Sequence, residues 1–301
     1  GSLLRAWRLA LCPNGSMILP KAAFLKAVAQ TSFRREARLL WRAFDTEDSC
    51  FISIENFDSK GALALAHLQA FVERCGGSEK AFRLLDRFNA RTLRQEEFSL
   101  ILKAYGFEYP TKLLFHGLDR YSHNYIVETD LAFLDSWRPH AFLLASPNRQ
   151  AMEEVKTLFV RMYGSYLKAW RRALDLDNSN RCMWEEFVSA CSHVGYDGDV
   201  PGAWRALDAD LSGYITLKEF DAAANGNLNA FRKWAQEVCG SVRSAFGIFD
   251  ADGSNSVNSR QFYRACKIYG FQGNARQIFA ALDVGRGVLS LKDVAFLDKW
   301  I

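Results

Sequence analysis

The sequence repeats itself along nearly its whole length, and that repeat restricts the fold more than any other feature. Trp7, Phe24, Trp41 and Phe57 return as Trp170, Phe187, Trp204 and Phe220, each 163 residues later. Cys75, Phe82, Phe98 and the run Tyr105-Gly106-Phe107 return 164 residues later as Cys239, Phe246, Phe262 and Tyr269-Gly270-Phe271. Phe133, Leu134, Asp135 and Trp137 come back as Phe296, Leu297, Asp298 and Trp300, at 163 again, so one residue was gained and one lost between copies. Large apolar residues held at fixed offsets predict two packed units of one design: a unit at 3–137, a linker at 138–150 and a second unit at 151–301.

A finer period runs inside each copy. Polar segments begin at Cys12, Asp45, Asp86 and Asp119, spaced by 33, 41 and 33, and at Asp175, Asp208, Asp250 and Asp283, spaced by 33, 42 and 33. Each copy therefore holds two pairs. A segment runs from an apolar helix through about twelve polar residues, with an aliphatic residue at the eighth, to a second helix opened by an apolar residue. Leu19, Ile52, Leu93, Ile126 and Ile215 stand at that eighth position, where backbones of partner loops are expected to pair as short strands. Before Asp175, the residues Met152, Val155, Leu158, Phe159 and Met162 fall at helical intervals and form one apolar stripe. Ser146 is expected to cap that helix, with Pro147 in its first turn. No matching helix precedes Trp7, which suggests a piece of a longer array, and Gly1-Ser2 reads as a remnant of tag removal.

Composition narrows the class. At 49% hydrophobic and 14% aromatic, 301 residues can bury sizeable cores. No apolar run approaches the roughly 18–20 residues needed to cross a bilayer, and no secretory leader is present, so an intracellular place, cytoplasmic or cytoskeletal, is expected. Seven scattered cysteines, an odd number, are expected as free thiols. The formal charge is +4, with 20 basic and 16 acidic residues up to residue 150 and 18 of each beyond it. No nucleic-acid partner is expected; an acidic partner or a membrane surface is left open by the basic first half. The five histidines show no metal spacing, and no phosphate loop or nucleophile elbow occurs, so an enzyme is not expected.

The carboxylates carry the chemistry. The 208–219 loop reads D-A-D-L-S-G-Y-I-T-L-K-E, followed by Phe220. A hard cation takes six to eight oxygens, and Asp208, Asp210 and Ser212 offer them at positions 1, 3 and 5. Gly213 allows the sharp turn, Tyr214 offers its carbonyl, Thr216 ligates directly or through water, and Glu219 closes the sphere. The 175–186 loop, D-L-D-N-S-N-R-C-M-W-E-E, offers Asp175, Asp177, Ser179, the Arg181 carbonyl and Glu186. Asn180 replaces the glycine and is expected to turn left-handed, while Cys182 at the eighth position is expected to loosen the strand pairing. The 250–261 loop has Asp250, Asp252, Ser254 and Ser256, with Asn258 beyond, but closes with neutral Gln261, so any binding is weak. The loop from Asp283 is one residue short. In the first copy the Cys12 loop has no acid, the Asp45 loop ends in Asn56, and the Asp86 and Asp119 loops place Phe88, Ala90, Tyr121 and His123 where oxygens belong. None of these four is expected to bind.

This pattern resembles the EF-hand superfamily and is similar to calmodulin-like tandem proteins. The resemblance implies an all-α fold of eight helix-loop-helix units, in two tandem four-hand repeats joined by short two-stranded β pairings, and calcium at two sites. It implies a protein partner, either a helix or another repeat of the parent protein. Four methionines against 23 phenylalanines favour fixed packing over an adaptable groove. A calcium-responsive structural module of a longer protein is therefore expected, with a calcium sensor that exposes a helix-binding groove as the alternative.

Overall fold

A computed structural model describes residues 2–45, 50–283 and 285–300. Residues 46–49, within the loop from Asp45, lie outside the described set. The fold is mostly helical, with a few short two-stranded sheets. Contacts divide the chain into two compact units: Gly1–Ser146 with Asp210–Gly213, and Pro147–Ala209 with Tyr214–Ile301.

Within the first unit, strands Ile18–Pro20 and Phe51–Ser53 pair antiparallel with Leu19 opposite Ile52, and a single bridge joins Leu93 to Ile126. Within the second, Cys182 pairs with Ile215 and Val257 with Leu289. Each pairing is centred on the eighth position of its segments, except that Leu289 is the seventh residue of the loop from Asp283, which is one residue short. Cys182 does not disturb this: it is fully buried and in register, because a thiol in an apolar site packs as a small hydrophobe.

The repeated aromatic residues are the cores. Trp7, Trp41, Trp170 and Trp204 are buried, and Phe24 packs edge-on to Trp41 as Phe187 does to Trp204, with centroids 5.3 and 5.5 Å apart. Rings of this size each remove on the order of 200 Å² from water, and edge-to-face contact adds a directional preference that fixes how neighbouring helices meet.

Two devices recur at matching positions of the copies. The helix that leads into the first loop of each copy ends in a π-turn, Trp7–Leu11 and Trp170–Leu174, closed by Cys12 N donating to Trp7 O at 2.6 Å and Asp175 N to Trp170 O at 2.8 Å. The second device is a cap from a distance. Asp135 accepts from the Ser78 N–H at 2.8 Å and from its hydroxyl at 2.6 Å, at the start of helix Ser78–Leu85. Asp298 accepts from Val242 N at 2.7 Å and Arg243 N at 2.9 Å, at the start of helix Val242–Phe249. A carboxylate there satisfies amides the helix itself leaves unpaired and opposes the positive end of its dipole.

The segment after Trp137 is ordered: Ala141–Leu143 forms a 3-10 turn that buries Phe142 and Leu143. The helix that follows runs Arg149–Tyr163, and its cap is Asn148, not the expected Ser146. The Asn148 side chain accepts from Ala151 N at 3.1 Å, donates to Asp199 at 2.8 Å, and its backbone N–H donates to Gly202 O at 2.9 Å. Those tertiary bonds place the cap one residue after the proline.

Candidate metal centre

One backbone course is shared by loops with very different side chains. The fourth and sixth residues turn left-handed in the loops starting at Asp86 (Asn89, Arg91), Asp119 (Ser122, Asn124), Asp175 (Asn178, Asn180), Asp208 (Leu211, Gly213) and Asp250 (Gly253, Asn255). Such φ values cost energy for most side chains, so something must hold them. The holder is the first aspartate, which accepts from backbone amides four and five residues on. Asp86 takes Ala90 N at 2.8 Å and Arg91 N at 2.7 Å; Asp119 takes His123 N and Asn124 N, both at 3.0 Å; Asp250 takes Ser254 N and Asn255 N, both at 2.9 Å. The first acid is thus structural in these three loops, and Asp175 likewise accepts from Asn180 N at 3.1 Å.

In the 208–219 loop the acids also converge. Oxygens of Asp208, Asp210 and Glu219 lie within 4.8 Å of one another, the only such group among the described residues. Asp208 is buried, Asp210 exposed and Glu219 intermediate. Oε2 of Glu219 accepts from Thr216 N and from its hydroxyl, both at 2.8 Å, which fixes the carboxylate at the start of helix Leu217–Phe220. Three like charges this close, one of them out of water, repel unless a cation or proton compensates them. The donors are all oxygen, the set a hard divalent cation prefers, so these residues fit calcium.

The 175–186 loop gathers only part of its set. Ser179 Oγ donates to Arg181 O at 3.0 Å and reaches Asp175 Oδ1 at 3.5 Å, and Asp177 lies beside Asp175. Glu186 is turned to Met183 N at 2.9 Å and does not join Asp175 and Asp177 in a group like that of the partner loop. Burial pushes the Asp175 carboxyl up to about 6, and the neighbouring Asp177 charge adds to the rise against the Asn180 N–H, which lowers it. Asn180 sits at φ 67°, in the left-handed region as expected.

The 250–261 loop is closed by its own side chain. Gln261 Oε1 accepts from Asn258 N at 2.8 Å, and its Nε2 donates to Asp252 Oδ2 at 3.0 Å. Bonds from the Ser254 hydroxyl and N–H, together with that amide, hold the Asp252 carboxyl below its usual value. Ser254 Oγ donates to Ser256 O at 2.9 Å, so the predicted weak set lies together but is internally satisfied.

Other loops use fixed cations. In the loop from Asp283, Arg286 forms an ion pair with Asp293, the acid that ends it. Burial alone would raise the Asp283 carboxyl, but the N–H groups of Arg286, Gly285 and Gly287 and the charge of Lys168 hold it low. Arg5, at the position matching Lys168, lies 3.7 Å from Asp119. The 86–97 loop keeps Glu97, whose Oε1 is buried without a partner, and burial with the Asp86 charge raises its carboxyl above the usual range.

Several residues that set up these sites had no part in the sequence reading of the loops. Trp170 Nε1 donates to Asp175 Oδ2 at 3.1 Å, and Trp41 Nε1 to Asp45 Oδ2 at 2.8 Å. Trp7 Nε1 is buried without a partner, because Cys12 stands where the aspartate would be. Arg8 and Arg171 are the other pair. Arg8 donates to the carbonyls of Gly117 and Leu118 at 3.1 and 2.8 Å and lies 4.3 Å over Phe133; Arg171 donates to Leu282 O at 3.0 Å and lies 4.5 Å over Phe296. Burial lowers the Arg8 guanidinium to about 10, so it stays charged at neutral pH and serves the negative end of helix Thr111–Leu118.

Over 131 residues the chain is 29% identical to calcium-dependent protein kinase 11 of rice, Oryza sativa subsp. japonica. The match takes in 40% of this chain and 22% of that protein, so it spans about a fifth of the relative's length. No protein-family model matches the sequence. No described helix is long and apolar enough to cross a membrane.

Proposed function

We propose that this chain is a calcium-binding EF-hand repeat protein that serves as a structural module whose stiffness responds to calcium. The observation that carries the reading is the convergence of Asp208, Asp210 and Glu219 in a loop between two helices. When bound, calcium would neutralise those acids. Asp208, Asp210, Ser212, the Tyr214 carbonyl, Thr216 and Glu219 would hold one ion, and Asp175, Asp177, Ser179, the Arg181 carbonyl and Glu186 a second. The two loops are joined by the Cys182–Ile215 pairing, which gives a route for one site to stiffen the other. The remaining segments are read as hands that kept their shape after losing their metal.

The structural role, in preference to catalysis or a moving groove, is supported by the buried ties within each copy. Arg8 and Arg171 fasten the helix that leads into the first loop to the end of a helix in the fourth segment, and opening would strand each guanidinium from its carbonyl. A protein partner, a helix or another repeat of the parent chain, would then be held permanently. The likeness to a protein named for its calcium dependence favours a second reading, a sensor that exposes apolar surface on binding calcium.

Calorimetry tests the site reading, with two calcium ions per chain expected; none, or four or more, would end it. Dye binding to apolar surface separates the roles. Unchanged dye signal with a raised melting temperature fits the structural module, and a large rise in signal fits the sensor.

A further inference from the structure

The positive charge of the first half is concentrated at its start. The first 44 residues hold eight basic residues and a single acid, Glu36. Arg5 and Arg8 are engaged inside the unit, as described above. Lys21 is half-buried and Lys26 exposed on helix Lys21–Val28; the other four, Arg34, Arg35, Arg38 and Arg42, are exposed around one turn and one helix, none in an ion pair with a described residue. Among them stand two bulky apolar side chains, Phe33 at 58% exposed and Leu39 at 66%.

The local structure holds this face outward. Thr31 Oγ1 donates to Val28 O at 2.8 Å and accepts from Phe33 N at 3.2 Å, and Glu36 N donates to Phe33 O at 3.1 Å, so the turn carrying Phe33 is fixed. Helix Ala37–Phe44 then buries Ala37 and Trp41 on its inner face. Trp41 is locked by its bond to Asp45 and its contact with Phe24. Arg38, Leu39 and Arg42 are left facing solvent on a helix that cannot easily rotate.

We propose that this face, residues 33–42, docks on an anionic lipid surface. Four exposed guanidiniums supply the attraction to acidic headgroups, and arginine stems allow the charge to stay at headgroup level while neighbouring apolar side chains enter below. Phe33 and Leu39 are exposed, and neither lines a described cavity. Exposed, separated apolar groups suit a deformable bilayer interface, whereas a folded acidic partner would need a pocket matched to each. The inference does not depend on the calcium reading, since none of these residues belongs to a proposed site, and its test is run in chelator so that the two fail separately.

The test is sedimentation of the full chain with vesicles of phosphatidylcholine alone and with phosphatidylserine added at about 30%. Binding is expected only to the acidic vesicles, with release in about 0.5 M salt, where screening is complete within a few ångströms. Substituting Arg34→Gln with Arg35→Gln should lower partitioning about 25-fold, from roughly fivefold per basic residue near the surface. Phe33→Ser with Leu39→Ser should lower it about tenfold with charge unchanged. All four side chains are exposed, so circular dichroism should show the helix content intact; a variant that loses it is set aside and the other pair decides. Equal binding to neutral and acidic vesicles, or unchanged binding in the folded variants, overturns the proposal. So does binding to polyglutamate but not to acidic vesicles, which would assign the face to an acidic protein.

Discussion

The loops beginning at Asp208 and Asp250 share a start of Asp-Ala-Asp, share a serine at the fifth position, and turn left-handed at the same places. They differ where they close. Glu219 brings a third carboxylate to within 4.8 Å of two others. Gln261 brings an amide, and its N–H reaches Asp252 as a built-in donor. A loop of this shape can therefore be stabilised in two ways, by an external cation or by an internal donor, and one atom of the closing side chain selects between them. The 283 loop makes the same choice more strongly, with Arg286 as a tethered cation.

The largest expected effect comes from converting one loop into the other. Glu219→Gln should lower calcium affinity at the 208–219 loop on the order of 100-fold, because it removes one charge and one oxygen and offers the amide a route back to the acids. Calorimetry reads this directly, and an unchanged isotherm would break the comparison. The reverse change sharpens it. Gln261→Glu should raise affinity at the 250–261 loop by about 30-fold, adding one site to the stoichiometry, since the first acids are already placed. If the added carboxylate yields no new site, the backbone course alone is not sufficient.

How much of this was legible in the sequence follows from what kind of information each feature needs. The helical class and the strand positions were readable because a fixed period of apolar residues encodes them, so Leu19 opposite Ile52 and Leu93 opposite Ile126 follow from the eighth-position rule. The convergence of Asp208, Asp210 and Glu219 was readable because all three lie in one twelve-residue stretch, where local geometry alone sets distances. The Asn148 cap was missed because its bonds to Asp199 and Gly202 come from some fifty residues away. Asp135 and Asp298 were seen to repeat, yet their capping of helices 57 and 56 residues earlier is tertiary. The donors that replace metal, Gln261 and Arg286, are ordinary polar residues in sequence, and only side-chain direction reveals them.

The two copies offer a second comparison at their first loops. Asp175 is buried, and its carboxyl lies near 6, above the value of about 4 for the unfolded chain. A raised carboxyl favours the folded state while it is protonated. In chelator, the Asp175 site should therefore contribute most below about pH 4 and lose about 1–2 kcal/mol as pH rises through 6, opposite in sign to the acids held low in the same unit, Asp252 and Asp283. Cys12, at the matching position, carries no charge in that range, and the first unit should show no such loss from this site. Denaturant melts of the full chain at pH 4 and pH 7 check the difference, and calcium at pH 7 should restore it.

The smallest effect isolates one hydrogen bond. Trp170 and Trp7 occupy the same place in the two copies, both buried at the head of a π-turn, but only Trp170 Nε1 has an acceptor. Replacing either by phenylalanine removes similar ring area and leaves a similar cavity, so those costs cancel when the two variants are compared. Trp170→Phe additionally loses the bond to Asp175 and leaves that carboxylate with one donor fewer. Trp7→Phe instead removes a buried N–H that has no partner, which offsets part of its cavity cost. Trp170→Phe should consequently be about 1 kcal/mol the more destabilising in chelator at neutral pH. Equal losses in the two variants would mean that Asp175 draws its support from the Asn180 amide and the Ser179 hydroxyl, and that the substitution at Cys12 left no energetic trace on its tryptophan.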